Sequence, residues 1–157
     1  MTAELQIDRV AVIGAGVMGA QIAATLANAG LQVDLLDLEL DGDPAGLAKQ
    51  GLDRAAKARP PAFFIPDLAA RIRPGGLDDL KVVAAADWVV EAIVEQFEPK
   101  RALLERLEGV VGADAVISSN TSGLSIGSLV QGRSERFASR FLGTHFFNPP
   151  RYMKLVE

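Results

Sequence analysis

Three glycines follow the first apolar run of the chain in the spacing G-x-G-x-x-G, at Gly14, Gly16 and Gly19. This spacing is typical of a strand–turn–helix unit that holds a dinucleotide. The first glycine permits a tight turn, the second lets the backbone approach a pyrophosphate, and the third lets the helix pack closely on the sheet. The start of the helix then directs free N–H groups and a partial positive charge at the phosphates. The motif therefore predicts a dinucleotide cofactor, although a purely structural glycine turn is the alternative interpretation.

The second apolar run ends on an acid, Asp37, about 20 residues after the glycines. At this position a carboxylate accepts hydrogen bonds from a ribose 2′-OH, whereas a 2′-phosphate would be repelled by the same charge. No arginine follows Asp37 closely to receive a phosphate. The sequence therefore predicts NAD rather than NADP.

The single histidine of the chain, His145, lies near the end of a later apolar run. Oxidation of an alcohol by hydride transfer needs a base for the hydroxyl proton, and an imidazole titrates close to neutral pH. A carboxylate that orients the ring supports its charged form, and Glu157 on a neighbouring segment is the candidate. A histidine packed for structure and a solvated terminal glutamate are the alternative interpretations of these two residues.

Apolar runs alternate with helical patterns along the chain, which predicts βαβ units. We predict strands over 8–13, 32–37, 71–73, 88–93, 116–119, 141–147 and 153–157, and helices over 17–29, 45–58, 67–71, 98–109 and 125–131. The predicted fold class is α/β, a Rossmann-type doubly wound and mostly parallel sheet with helices on both faces. Ligands of such sheets bind beyond the carboxyl ends of the strands. The polar residues of this chain collect at those ends, namely Gly14–Gly16, Asp37, Glu91 to Glu95, Asn120–Ser122, and His145 with Asn148.

Length and composition are those of a single domain over 1–157, with 49% apolar residues. A net charge of −4 gives no basic surface for nucleic acid or anionic membranes, and no apolar run is long enough to cross a bilayer. Residues 1–7 form a short leader without the pattern of a secretory signal. The absence of cysteine excludes disulfides and, with one histidine, argues against a metal centre. We therefore expect a cytoplasmic protein without nucleic-acid or membrane partners.

Four segments together resemble the NAD-binding domain of the L-3-hydroxyacyl-CoA dehydrogenases of fatty-acid β-oxidation. They are GAGVMGAQIA (14–23), VVEAIVE (89–95), SSNTS (118–122) and HFFNPPRYMKLVE (145–157). The last segment is also similar to that of long bacterial members, in which the dehydrogenase is followed by an enoyl-CoA hydratase part. The resemblance implies an NAD-dependent oxidation of (3S)-3-hydroxyacyl-CoA to 3-ketoacyl-CoA.

The resemblance implies a role for each matching residue. His145 would accept the proton of the 3-hydroxyl group, and Glu157 would support the charge of the imidazolium. Ser122 would contact the substrate hydroxyl and the nicotinamide side of the cofactor. The remaining cofactor contacts would come from the glycine turn with Val17 and Met18, from Asp37 at the adenosine ribose, from Glu95 and Lys100 at a ribose region, and from Asn148 at the nicotinamide end. Taken by itself, Lys100 would be interpreted as an exposed lysine of a helix.

Two features depart from the family pattern. The segment 41–66 is short, interrupted by prolines and poor in lysine, so we assign no coenzyme A contacts to it. Its apolar tripeptide Phe63–Phe64–Ile65 is expected to be core or a docking patch. The family also continues into an all-helical domain that closes over the acyl chain and forms the dimer. We therefore expect a fragment that binds NAD, turns over poorly by itself and belongs to a homodimer built through that further domain.

Two other functions stay open at this point. One is a non-catalytic protein that retains the dinucleotide site, and the presence of His145, Glu157 and Ser122 argues against it. The other is a dehydrogenase of small 3-hydroxy acids that lack coenzyme A, and the SSNTS and HFFNPP segments argue against that.

Overall fold

Six strands form one sheet in the computed structural model, which describes residues 6–78 and 80–157, so residues 1–5 of the predicted leader lie outside the described residues. The strands are β1 (Arg9–Ile13), β2 (Gln32–Asp37), β3 (Ile72–Gly76), β4 (Trp88–Glu91), β5 (Val116–Ser119) and β6 (Phe141–Gly143). Their spatial order is β3-β2-β1-β4-β5-β6, and each neighbouring pair is parallel. This is the strand order of the Rossmann sheet, so the predicted fold class is confirmed.

Helices cover both faces of the sheet. They are α1 (Val17–Asn28), α2 (Gly46–Ala56), α3 (Lys81–Ala84), α4 (Phe97–Glu108), α5 (Ile126–Val130) and α6 (Glu135–Ala138), with a 3-10 helix at Pro66–Arg71. Successive residues of β1 point to opposite faces. Val10 and Val12 pack in the core beneath α1 and α2, whereas Ala11 and Ile13 pack in the core beneath α4 and α6. Burial on both faces explains why β1 is a continuous apolar run.

The C-terminal part of the chain differs from the prediction. The strand predicted over 141–147 ends at Gly143, because β5 ends at Ser119 and the N–H of Phe146 donates instead to Oδ1 of Asn120 (2.8 Å). The strand predicted over 153–157 is wrong, since Val156 forms one isolated antiparallel bridge with Phe146. The prolines at 149 and 150 have no N–H to donate, and the chain turns there, with the N–H of Tyr152 donating to the carbonyl of Pro149 (3.0 Å).

Smaller differences occur elsewhere. The strand predicted over 88–93 ends at Glu91, because the N–H of Ile93 donates to the Glu91 carboxylate (2.8 Å). The strand predicted over 71–73 covers 72–76, since the 3-10 helix continues to Arg71. The helices α3 and α6 were not predicted, because four residues are too few to show helical periodicity.

The apolar tripeptide of the proline-rich segment is divided between core and surface. Phe63 is buried, whereas Phe64 and Ile65 are exposed. The guanidinium of Arg151 lies over the Phe64 ring and donates to the carbonyls of Pro61 and Phe63 (2.8 and 2.6 Å). These contacts join the proline-rich segment to the C-terminal segment of the chain.

Within residues 6–78 and 80–157, no helix combines the length and the apolar character that a membrane crossing requires. The same residues contain no group of three or more histidine or carboxylate side chains arranged to hold a metal ion.

Candidate functional site

The glycine turn lies between the carboxyl ends of β1 and β4, where the winding of the sheet changes direction. Gly14 has a φ of +102°, and a Cβ added there would come within 2.5 Å of the carbonyl oxygen of Ala92. A Cβ at Gly19, in the first turn of α1, would overlap the carbonyl of Gly14. The packing of the protein itself therefore requires both glycines.

Gly16 differs from these two glycines. A Cβ added there would meet no atom of the described residues within 4 Å, and its φ of −63° suits any residue. Gly16 is the N-cap of α1, where no side chain caps the N–H groups and no acidic residue lies in the first turn. Open space in front of the amide groups of a helix N-terminus suits an anionic pyrophosphate. The residues present therefore fit a bound dinucleotide.

Asp37 ends β2 beside the glycine turn. One carboxylate oxygen accepts a hydrogen bond from the N–H of Ala15 (2.6 Å), and the other accepts from the N–H of Leu38 (2.7 Å). These hydrogen bonds fix the carboxylate in the lining of a cleft of about 560 Å³. The cleft is lined by Gly14, Gly16, Asp37, Leu38, Leu77, Ala92, Ile93, Val94, Pro99, Ala102, Leu103 and Arg106. Mostly apolar walls with a carboxylate at one end suit an adenosine group.

Of the predicted ribose contacts, Glu95 lies just before α4 and Lys100 lies in its first turn. The ammonium of Lys100 is 2.6 Å from the Glu91 carboxylate and 3.3 Å from that of Glu95. Its side chain is 1% exposed, so the interpretation of Lys100 as an exposed helical lysine is wrong. Lys100 lies on the inner face of α4, and burial there is tolerated because the charge is paired.

Ser122 lies in the turn that follows β5, and its side chain is exposed. Its N–H donates to Oε1 of Glu95 (3.0 Å), as do the N–H of Gly123 (3.2 Å) and the hydroxyl of Thr121. Burial raises the pKa of the Glu95 carboxyl, but these three hydrogen bonds and the Lys100 ammonium together lower the pKa below its usual value. The charged Glu95 carboxylate is therefore the shared hydrogen-bond acceptor of the turn over 120–123, called the Ser122 turn below.

His145 follows β6 and is joined to Glu157 through the backbone. The N–H of His145 donates to the carbonyl of Glu157 (2.7 Å), and the N–H of Glu157 donates to the carbonyl of His145 (3.1 Å). Nδ1 of the imidazole lies 3.8 Å from the Glu157 carboxylate. The structure therefore brings the predicted base and its predicted partner together, with Nε2 as the ring nitrogen turned away from Glu157.

The predicted residues thus form two groups. Gly14, Gly16 and Asp37 line the cleft, whereas Ser122, His145 and the exposed Asn148 follow β5 and β6 and lie outside its lining. Of the two residues after Gly16, Val17 is 60% exposed, and Met18 packs against the core around α1. Backbone hydrogen bonds tie the second group to the sheet. The N–H of Asn120 donates to the carbonyl of Glu91 in β4 (2.8 Å), and the N–H of Thr144 donates to the carbonyl of Ser119 in β5 (3.0 Å).

Several residues that shape the site were not predicted. Arg54 of α2 donates to the carbonyl of Ala15 in the glycine turn (2.8 Å), and Leu38, Leu77 and Arg106 line the cleft. No local motif marks these positions, because the tertiary fold alone brings them to the turn. The buried hydroxyl of Ser119 donates to the Glu91 carboxylate. Glu91 itself carried a signal, since an acid inside an apolar strand requires a buried partner.

The sequence model of the family described as "3-hydroxyacyl-CoA dehydrogenase, NAD binding domain" matches residues 9–157. The chain belongs to this family. The resemblance seen in the sequence is thereby confirmed, and NAD is the cofactor of the family. The match spans both groups of predicted residues, from the glycine turn to the His145–Glu157 pair.

Individual relatives agree with the family match. A probable 3-hydroxyacyl-CoA dehydrogenase of Deinococcus radiodurans is 54% identical over 98% of this chain and 45% of its own length. The fatty acid oxidation complex subunit alpha of Psychrobacter arcticus is 38% identical over 97% of this chain and 21% of its own length. The crystal structure of 3-hydroxybutyryl-CoA dehydrogenase from Escherichia coli superposes with a TM-score of 0.78 and 32% identity, over 97% of this chain and 32% of that one. The chain therefore spans less than half the length of each of these proteins.

Proposed function

We propose that the full-length protein oxidises (3S)-3-hydroxyacyl-CoA to 3-ketoacyl-CoA, with this domain binding NAD and supplying the base. The observation that carries the proposal is the pairing of His145 with Glu157 beyond the end of β6, in a chain whose glycine turn fits a dinucleotide. The names of the relatives support 3-hydroxyacyl-CoA as the substrate class.

The proton of the 3-hydroxyl group passes to Nε2 of His145. Nδ1 faces Glu157, so the carboxylate stabilises the imidazolium that forms and sets the orientation of the ring. The electrons of the former O–H bond form the C3 carbonyl as the C3 hydrogen leaves with its electron pair. NAD, when bound, is the acceptor of that hydride.

Other residues of the chain orient the reacting groups in this proposal. Ser122 donates or accepts a hydrogen bond at the substrate hydroxyl, and Glu95 holds its turn in place. When NAD is bound, Asn148 would contact its nicotinamide end, Val17 and Met18 would support the glycine turn, and Glu95 and Lys100 would hold a ribose region. The carboxylate of Asp37 accepts hydrogen bonds from the hydroxyls of the adenosine ribose, since Asp37 lines the cleft.

The wider organisation is also proposed. We infer from the family resemblance that a helical domain beyond these residues covers the acyl chain and forms the homodimer, and the two relatives, of which the chain spans 45% and 21%, are long enough to contain it. This domain, over 1–157, then supplies the cofactor site, and the rest of the protein excludes water from the reaction. The cytoplasmic location stays a prediction from the sequence.

The decisive assay compares substrates on the full-length protein. With NAD present, (3S)-3-hydroxybutyryl-CoA should yield NADH, whereas free 3-hydroxybutyrate should react at least about a hundredfold more slowly, because remote binding energy from coenzyme A is lost. Comparable rates on both would favour a dehydrogenase of small hydroxy acids. Tight NAD binding without turnover of any acyl-CoA would instead favour a non-catalytic protein.

A further inference from the structure

A fully buried carboxylate, Glu91, ends the apolar strand β4 directly below the turn that carries Ser122. Its side chain is 0% exposed. Oε1 accepts hydrogen bonds from the ammonium of Lys100 (2.6 Å) and the N–H of Ile93 (2.8 Å), while Oε2 accepts from the hydroxyl of Ser119. A buried carboxylate is tolerated when its oxygens are satisfied in this way, but well-packed apolar residues commonly stabilise a core as well or better. Stability alone therefore gives no reason for a charge at this position.

The first path from Glu91 to the Ser122 turn runs through Lys100. The ammonium group bridges Glu91 and Glu95, at 2.6 and 3.3 Å. Glu95 accepts hydrogen bonds from the N–H groups of Ser122 and Gly123 (3.0 and 3.2 Å). Because Lys100 is buried, its charge needs these carboxylates as partners. The position of Glu95, and hence of the Ser122 turn, depends on this bridge.

The second path runs through Ser119 and Thr121. The hydroxyl of Ser119 donates to Glu91 and accepts from the N–H of Thr121 (3.3 Å). The hydroxyl of Thr121 in turn donates to Glu95 and accepts from the N–H of Leu124 (3.0 Å). One carboxylate therefore holds the turn over 120–123 from both sides.

We propose that Glu91 is a positioning residue, which fixes the Ser122 turn through Lys100 and Glu95 on one side and through Ser119 on the other. The inference rests on the proposed function, in which Ser122 contacts the substrate hydroxyl. In this proposal Glu91 touches neither substrate nor cofactor, and when NAD is saturating it acts on the reaction through the place of Ser122.

The test variant is Glu91→Gln in the full-length protein. The amide has nearly the same shape, and its Oε1 still accepts from Lys100. Its NH₂ group, however, cannot accept the hydrogen bond that the Ser119 hydroxyl donates to Glu91, and the negative charge is gone. The kcat at saturating NAD and acyl-CoA should fall about tenfold to a hundredfold, which is the effect of a misplaced catalytic group.

A double-mutant cycle with Ser122→Ala separates positioning from general damage. If Glu91 acts through Ser122, Glu91→Gln should lower kcat by less than about twofold when Ser122 is already alanine. Losses that multiply in the double variant would overturn the proposal. Ser119→Ala, which cuts one of the two paths and leaves the ion pair intact, should lower kcat by a few-fold and show the same dependence on Ser122.

Asp34 offers a matched control. It is a buried carboxylate in the middle of β2, paired with Arg9 (2.8 Å) and Arg73 (2.6 Å), without a contact to the site among those the structure describes. Asp34→Asn should lower the melting temperature yet leave kcat within about twofold of the parent. A comparable loss of kcat in this control would mean that any disturbed buried charge slows the enzyme, and the proposal would fail.

Hydrogen exchange gives a result that does not depend on turnover. The N–H groups of Ser122 and Gly123 should exchange about tenfold faster in Glu91→Gln and at the parent rate in Asp34→Asn. Unchanged exchange in Glu91→Gln would overturn the positioning role even in an active enzyme. If the parent protein oxidises no 3-hydroxyacyl-CoA while these N–H groups still exchange faster in Glu91→Gln than in the parent, the proposed function is refuted and the link between Glu91 and the turn stands.

Discussion

The proposed site has a cofactor half, around Gly14, Gly16 and Asp37, and a catalytic half, around Ser122, His145 and Glu157, and the two are built differently. Around the glycine turn, the protein's own packing fixes Gly14, and two backbone N–H groups hold the Asp37 carboxylate. In the catalytic half, the side chains of His145 and Glu157 are 31% and 64% exposed and lie 3.8 Å apart, on segments joined by one isolated bridge. The comparison shows that the core preforms the geometry proposed for cofactor binding, whereas the geometry proposed for catalysis depends on a few hydrogen bonds near the surface. Affinity for NAD and the rate of turnover should therefore respond to different substitutions.

The largest expected effect is on turnover in the catalytic half. His145→Gln removes the proposed base and retains the approximate size of the side chain, so kcat for 3-hydroxyacyl-CoA oxidation should fall about 10²- to 10⁴-fold. The dissociation constant for NAD should stay within about twofold, because His145 lies outside the cleft lining. Steady-state kinetics with a calorimetric NAD titration would measure both quantities. A variant that retained parental kcat would show that another group accepts the proton.

Next in size is the effect of Gly16→Ala in the cofactor half. The added methyl group meets no atom of the described residues, so the fold should be retained with at most a small loss of stability from alanine at the N-cap, but the methyl group occupies the space proposed for the pyrophosphate. NAD should bind at least about tenfold more weakly, a loss of about 1.4 kcal/mol or more. The matched control is Gly127→Ala, where an added Cβ also meets no described atom and no phosphate is proposed. Parental NAD affinity in Gly16→Ala would contradict the assignment of this glycine.

A smaller effect is expected for Glu157→Gln. The carboxylate is exposed and reaches the imidazole at ion-pair distance, so the loss of its charge should lower kcat by about three- to tenfold. The loss should grow when the ionic strength is low and shrink in high salt, because exposed ion pairs are screened. Measurement of kcat across a salt series checks this prediction. An effect as large as that of His145→Gln would mean that Glu157 takes part in proton transfer itself.

The smallest effect concerns a carboxylate outside both halves. The N–H groups of Asp8 and Arg9 donate to Asp87, at the opposite end of β4, and hold the pKa of Asp87 below its usual value. A lowered folded-state pKa means that the carboxylate stabilises the fold above the ordinary aspartate range and that this contribution disappears as the pH falls through the folded-state pKa. Asp87→Asn should therefore lower the melting temperature by about 2–4 °C at neutral pH and by less at acidic pH. Thermal melts across pH would test it, and NAD affinity and kcat should not change.

The elements of the cofactor half could be predicted because each is marked by local sequence. The glycine spacing, the apolar run of β1 and the acid at Asp37 all act within one βαβ unit, and the structure has β1, α1 and β2 within one residue of the predicted bounds. The C-terminal region was predicted less well. Apolar residues there indicated strands, but the length of a strand is limited by its partner. Ser119, the last residue of β5, pairs with Gly143, so the strand predicted over 141–147 has no partner beyond Gly143 in β5.

The burial of Lys100 shows why side-chain environment escapes local reasoning. Lys100 shares the helical spacing of the buried residues Leu103, Leu104 and Leu107, so its position on the apolar face of α4 was visible in the sequence. The spacing does not show which counter-ions make burial of the charge possible, and one of them, Glu91, belongs to another element, the strand β4. The acid in β4 and the lysine of α4 were both visible in the sequence. Their pairing follows from the parallel sheet that brings the end of β4 against α4, which is a property of the whole fold.

The most direct test of the account measures NAD affinity and saturated kcat side by side for Gly16→Ala and His145→Gln in the full-length protein. The account predicts a crossed result, in which Gly16→Ala weakens NAD binding and retains kcat at saturating cofactor, while His145→Gln retains NAD binding and loses kcat. If both variants changed both quantities equally, or neither quantity at all, the glycine turn and the imidazole would not have the separate roles assigned to them.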